Sequence, residues 1–153
     1  MKHRFQELIE ELGKCLDMPL HLDKNQTCTI LFSEKLEVQI ERFGDEDLLI
    51  GAFICSLPPG KFRETILLSA LRANQSLYPT VGTLGYSETQ NKLAIFRLVD
   101  MKNLTGDKIS EILAYFVPTG LEWKDSIETR NVAPNAKGSS GKGQFPGPFG
   151  IKP

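Results

Sequence analysis

The stretch that decides the fold is residues 27–57, TCTILFSEKLEVQIERFGDEDLLIGAFICSL. Its first part, Thr27–Phe32, is rich in β-branched residues, and residues 36–41 alternate strictly between apolar and polar, so both are predicted strands. Residues 48–57 are apolar at both parities, which predicts a strand that lies centrally or under a second covering layer. The link over residues 33–35 is short enough for a hairpin.

Helices and further strands are predicted on both sides of this stretch. An amphipathic helix covers residues 2–17 and is expected to stop before Pro19, because the residue before a proline avoids helical dihedrals. A second helix is predicted over residues 61–77, and two more strands over residues 81–86 and 93–99. The last helix starts near Thr105 as its N-cap, and at Pro118 it either continues or breaks into two short helices.

The predicted fold class is therefore α+β, in the order α-β-β-β-α-β-β-α, with a twisted antiparallel sheet covered by helices. The 153 residues fit one domain over residues 1–130 and a tail over residues 131–153. Those last 23 residues hold five of the 13 glycines, four of the nine prolines, three lysines and no acid. Such a composition predicts a flexible Gly/Pro-rich basic tail.

Charge and hydropathy exclude several classes of function. A net charge of -1 argues against a dedicated nucleic-acid binder. No apolar run is long enough for a membrane helix, and the N-terminus lacks the apolar core of a signal peptide, so we expect a cytoplasmic protein with no membrane partner.

Residues suited to catalysis or metal binding are scarce. His3 and His21 are the only histidines, and the three cysteines (Cys15 among them) have no C-x-x-C spacing, so they are interpreted as small buried hydrophobes. We therefore predict no catalytic residue, no metal site and no cofactor. The alternative is an enzyme or small-ligand domain that works through Glu37 and Glu41, although these alternate on the wet face of a strand, as solvated residues do.

The second helix carries more apolar side chains than one sheet can cover. One stripe consists of Phe62, Ile66, Ala70, Ala73 and Leu77. Leu67, Leu68 and Leu71 lie around the other side of the helix, which predicts a partner surface.

From residue 71 onward, several motifs in one order resemble the class I chaperones of bacterial type III secretion, the group that serves translocated effectors. These motifs are Leu71-Arg-Ala73-Asn74, Leu84-Gly85-Tyr86, Leu93-Ala-Ile95, and a last helix with Leu113, Phe116 and Trp123. The resemblance covers about residues 1–130; Pro118-Thr-Gly120 and the long tail depart from it. It implies a bacterial, non-enzymatic homodimer that keeps the N-terminal segment of an effector non-globular and ready for export. The secretion ATPase is a further candidate partner.

The resemblance also implies two sets of site residues. The dimer interface would contain Leu67, Leu68, Leu71 and, from a nearby strand, Phe53. Cargo would bind by strand addition to a sheet edge and through apolar pockets around the first helix and the sheet. The candidates for those pockets are Phe5, Leu8, Leu12, Leu16, Leu31, Phe32, Leu84, Tyr86, Ile95 and Leu98. A regulator that uses the same fold to sequester a transcription factor or secretion component is the remaining alternative.

Overall fold

The computed structural model describes residues 2–78 and 80–129, and there it confirms the predicted order of elements. The predicted tail, residues 131–153, lies outside the described residues. The elements are α1 (Lys2–Leu16), β1 (Thr27–Phe32), β2 (Leu36–Phe43), β3 (Asp47–Ser56), α2 (Lys61–Leu77), β4 (Thr83–Ser87), β5 (Lys92–Asp100) and α3 (Gly106–Glu128).

The five strands form one antiparallel sheet in the order β1-β2-β3-β5-β4. The doubly apolar strand β3 lies at its centre, as one of the two sequence-based interpretations predicted. Ile50 in β3 pairs with Ile40 of β2 on one side and with Arg97 of β5 on the other. The two edges of the sheet are β1 and β4.

The hydrophobic core lies between one face of the sheet, here called the inner face, and the helices α1 and α3. Phe5 and Leu8 of α1 and Phe116 and Trp123 of α3 are almost completely buried in it. Each such side chain contributes about 1.5–3 kcal/mol when it leaves water, so this core is a main source of the fold's stability. The remaining helix, α2, packs against β4.

The N-terminal end of α3 is fixed to α1 at a position where only glycine fits. A Cβ on Gly106 would lie 2.6 Å from backbone and side-chain carbon atoms of Glu11. The Gly106 N–H donates instead to Glu11 Oε1 at 2.9 Å. Thr105 is confirmed as the N-cap, since its Oγ1 accepts from the Lys108 N–H at 3.2 Å. This junction holds the two covering helices together.

The last helix runs unbroken through Pro118, which confirms the continuous alternative. Pro118 is exposed, so its ring and missing N–H lie on the side of the helix away from the core. Thr119 Oγ1 donates to the Tyr115 carbonyl at 2.9 Å on the same side of the helix. No helix among the described residues is long and apolar enough to cross a membrane.

The first helix ends earlier than expected, and Pro19 is not what ends it. Asp17 has φ of 56°, and the N–H of Met18 donates to the Gly13 carbonyl at 3.0 Å. The Asp17 N–H donates to the Lys14 carbonyl at 3.3 Å, which completes a Schellman cap. A Cβ on Gly13 would lie 2.9 Å from the Met18 carbonyl oxygen, so the glycine inside α1 makes room for its own cap.

Candidate docking surfaces

The central strand β3 is apolar on both faces, but only its inner face is buried. Leu48, Ile50 and Ile54 are at most 1% exposed on the inner face. On the opposite face, here called the outer face, Leu49 is half-buried and Phe53 is 43% exposed. An apolar strand face of this kind favours contact with another chain or segment.

The neighbouring strands extend this exposed face into a groove of about 930 Å³, here called the outer groove. Its apolar lining includes Phe43 of β2, Leu49 and Phe53 of β3, and Phe96 and Leu98 of β5. Phe96 pairs with Gly51 of β3, so the Phe96 ring has no side chain opposite it at that position. The outer groove is therefore open and lined by large apolar groups.

Charged residues lie around this apolar lining. The Lys92 Nζ lies 5.6 Å from the centre of the Phe53 ring, within the range of a cation–π contact. The Lys124 Nζ donates to the Ile54 carbonyl at 3.3 Å and lies 3.3 Å from a Glu128 carboxylate oxygen. Because Lys124 and Glu128 also line the outer groove, the C-terminal end of α3 reaches one end of it.

Cys55 lies at the same end of the outer groove and is chemically quiet. The pKa of the thiol is raised to about 11, mainly because the group is partly buried and secondly because the Glu128 carboxylate is nearby. The positive charge of Lys124 lowers the pKa by a smaller amount. The thiol is therefore protonated at neutral pH, which makes it a poor nucleophile.

The second exposed apolar surface lies on α2. Leu71 is 68% exposed and Leu68 is also exposed, while Leu67 is half-buried and packs against the core. The opposite side of the helix is buried through Ile66, Ala70, Ala73 and Leu77. These leucines thus lie where the helical pattern placed them, away from the stripe that the protomer buries.

Every second residue of the edge strand β1 directs its backbone groups away from β2, which is its only strand partner among the described residues. Asp23 holds both backbone groups of Thr27: its Oδ1 accepts from the Thr27 N–H at 3.0 Å, and its N–H donates to the Thr27 carbonyl at 3.0 Å. Since backbone direction alternates along an antiparallel strand, Thr29 and Leu31 also direct their N–H and carbonyl groups away from β2. This edge can accept another strand.

The β4 edge is different, because a side chain already occupies it. Asn74 of α2 donates from its amide to the Leu84 carbonyl at 3.0 Å and accepts from the Leu84 N–H at 2.8 Å. The N–H of Gly82 donates to the Leu77 carbonyl at 3.1 Å. The Asn74 amide thus imitates a neighbouring strand at Leu84 and occupies that position of the β4 edge.

The structure divides the ten predicted cargo residues into two groups of five. In the first group the side chains are at most 3% exposed and belong to the protomer's own core; they are Phe5, Leu8, Leu12, Leu84 and Ile95. This corrects their assignment to a surface. In the second group the side chains are exposed or half-buried; they are Leu16, Leu31, Phe32, Tyr86 and Leu98.

Strand parity explains the part of this division that falls on β5 and identifies residues that the sequence analysis missed. Side chains alternate between the two faces of a strand, so Ile95 and Leu98 cannot share one face. Phe96, two residues before Leu98, is exposed on the outer face with it. Pairing Leu98 with its i−2 neighbour would have selected Phe96, and the i−4 position of Phe53, on the same face of β3, is Leu49.

The residues considered for chemistry included the carboxylates of β2 and the cysteines. Glu41 accepts a hydrogen bond from Thr27 Oγ1 at 3.3 Å across the β1–β2 pair. Cys28 is buried as expected, but the same interpretation of Cys15 is wrong: it is exposed and donates to Asp107 Oδ1 at 3.0 Å. The described residues contain no group of His, Cys, Asp and Glu suited to a metal ion.

A protein with open apolar surfaces and an accessible sheet edge belongs to the class of proteins that bind other polypeptide chains. A model of the Tir chaperone protein (CesT) family matches residues 7–124. The chain therefore belongs to the Tir chaperone protein (CesT) family, and its identification as a type III secretion chaperone is confirmed. No curated protein sequence matches the chain.

Solved structures with the same fold include several chaperone complexes. A chain of the HopA1–SchA chaperone–effector complex has 17% sequence identity and a TM-score of 0.67. The match covers 81% of this chain and 95% of the other. The Yersinia pestis type III secretion chaperone SycH, solved with a fragment of YscM2, is 13% identical with a TM-score of 0.64, covering 76% and 97%. The ExoU–SpcU complex of the Pseudomonas aeruginosa type III secretion system is 16% identical with a TM-score of 0.60, covering 80% and 98%. At these identities the likeness shows the fold.

Proposed function

We propose that this chaperone acts in the bacterial cytosol, without catalysis or a cofactor, and holds the N-terminal segment of an effector protein in an extended, secretion-competent form. The β1 edge is the observation that carries the proposal. It offers the outward backbone groups of Thr29 and Leu31 to an added strand, whereas on the β4 edge Asn74 already occupies those of Leu84. Cargo binding by complex-forming relatives of the same fold supports the same assignment.

Apolar contacts must supplement the backbone hydrogen bonds of such a complex. Ordering an unfolded segment costs about 2–5 kcal/mol or more, and each net hydrogen bond returns only about 0.5–1.5 kcal/mol. Leu31 is 56% exposed on the edge strand itself, so it can contact cargo beside the added backbone. The other accessible members of the cargo surface are Leu16, Phe32, Tyr86 and Leu98.

We further propose a homodimer in which the α2 leucines pack about a two-fold axis. Leu68 and Leu71 supply the most exposed apolar area on that helix, with Leu67 beneath them and Phe53 contributed by β3. A two-fold contact needs a self-complementary patch, and one exposed apolar helix face satisfies this requirement.

Co-expression and co-purification with candidate effectors test the cargo proposal. Thr29→Pro should abolish retention of the effector, because proline removes the N–H that points away from β2 and the sheet itself does not use that group. Thr29→Ala is the matched control and should retain the effector. Circular dichroism should be the same for both variants.

A second pair of variants tests the side-chain contact. Leu31→Glu should lose the effector, while Tyr115→Glu, at another exposed apolar site, should keep it. Retention by Thr29→Pro and Leu31→Glu alike would overturn the β1 assignment. Specific retention of a regulator or of the secretion ATPase in place of any effector would replace effector cargo with those partners.

A further inference from the structure

We propose that residues 131–153 of this same chain dock in the outer groove, with Phe145 and Phe149 contacting the apolar surface that Phe53 and Phe96 form. The inference rests on the proposed function in one respect: an occupied outer groove keeps Phe53 away from a second protomer. The C-terminal segment would thus hold the surface until a partner displaces it.

The first support is the place where α3 ends. Lys124 and Glu128, in the last two turns of α3, line the outer groove. The Lys124 Nζ contacts the Ile54 carbonyl at 3.3 Å, at the C-terminal end of β3. The chain therefore leaves the described part of the protein at one end of the groove, only one residue after Glu128.

The second support is length. Phe145 follows Thr129 by 16 residues, a contour of up to about 50 Å at roughly 3.3 Å per residue. The nine-residue strand β5, which forms one side of the groove, is only about 30 Å long. A covalently attached segment of this length is presented at an effective concentration on the order of millimolar, well above that of a second protomer in micromolar solution.

The third support is the chemistry of the segment. It contains Phe145 and Phe149 separated by Pro-Gly-Pro, and it has no acid. The two rings match the open aromatic and aliphatic lining of the groove, and the prolines reduce the conformational freedom that docking removes. Glu37 also lines the groove and offers a carboxylate to the lysines of the segment. The rim carries lysines as well, so length and position identify the occupant more strongly than charge does.

Photocrosslinking in the full chain tests the proposal, with Phe145 replaced by p-benzoylphenylalanine. Irradiation should link position 145 to residues 49–55 or 92–98 within one chain, with a yield that does not change on roughly tenfold dilution. Phe96→Ser should lower that yield by roughly tenfold, because it removes a large apolar contact. Tyr115→Ser, remote from the groove, should leave it unchanged.

Crosslinks that fall outside the groove, or that join only two copies of the chain, would overturn the docking. Light scattering on the same samples separates this outcome from a failure of the dimer proposal. A monomeric chain with crosslinks inside the groove removes the dimer and keeps the docking, whereas a dimer with crosslinks elsewhere does the reverse.

Discussion

The two faces of strand β3 both carry large apolar residues, but one face is buried and the other is open. On β3, Leu48, Ile50 and Ile54 point into the core beneath the helices, while Leu49 and Phe53 point into an open groove. The same alternation occurs on β5, where Ile95 is buried and Phe96 is exposed. Hydrophobicity alone therefore does not decide burial in this protein; the supply of covering helices does.

This difference indicates that the outer face of the sheet is the one available for binding. The inner face is covered by α1 and α3, so we expect the fold to depend little on the outer face for its stability. A surface that the fold does not need can be covered and uncovered at little cost to the folded state. A chaperone that must release its partner requires a surface with this property.

Replacing one residue on each face of β3 gives the largest expected contrast. Ile50→Ala should lower the free energy of unfolding by about 2–5 kcal/mol, because it leaves a cavity in a closed core. Urea denaturation followed by circular dichroism measures the loss. Leu49→Ala, its neighbour on the outer face, should cost less than about 1 kcal/mol. Equal losses would show that the outer face is part of the stabilising core.

The next contrast compares an exposed residue in the proposed dimer interface with an equally exposed residue outside it. Leu71 and Tyr115 are both 68% exposed, on α2 and α3 respectively. Leu71→Glu should raise the dimer dissociation constant by about a hundredfold, since it places an unpaired charge in an apolar contact. Tyr115→Glu should leave it unchanged. Sedimentation at several protein concentrations measures both, and an effect of the same size in the two variants would remove α2 from the interface.

Much of this contrast could be predicted from the sequence, because hydrophobic periodicity indicates which residues share one face of a helix or strand. The order of the elements followed from it, as did the N-cap at Thr105 and the surplus leucines of α2. The cargo residues were predicted less well, since an apolar residue gives the same signal whether it faces the core or an open groove. Five of the ten proved to be core residues for that reason.

Features that have no local sequence signal were not predictable in this way. Ser33 and Glu34 both adopt left-handed dihedrals, φ of 55° and 56°, in the β1–β2 turn, where asparagine and glycine are the usual signal. The pairing of Asn74 with Leu84 likewise depends on how α2 packs beside β4, which no local pattern reports. Burial and edge protection are therefore properties of the assembled sheet.

The smallest contrast concerns the thiols at the end of the outer groove and in the core. The pKa of Cys55 is raised from 9.0 to about 11, mainly by burial, and burial also raises the pKa of Cys28. Below pH 9 both states of the chain keep the Cys55 thiol protonated, so its contribution to stability is fully present. As the pH rises from 9 to 11 the unfolded thiol ionises first, and the folded state loses stability by at most about 1.4 kcal/mol per pH unit.

Partial exposure of Cys55 to solvent should keep the observed slope below that limit. Cys55→Ala should flatten the decline in stability between pH 9 and 11, measured by urea denaturation at each pH. Cys28→Ala is the matched control on the inner face, and it should remove only the part of the slope that belongs to Cys28. An unchanged slope in Cys55→Ala would mean that this end of the groove is as open to water as the unfolded chain. The C-terminal segment, if docked there, would steepen the slope, because it would exclude water from the thiol.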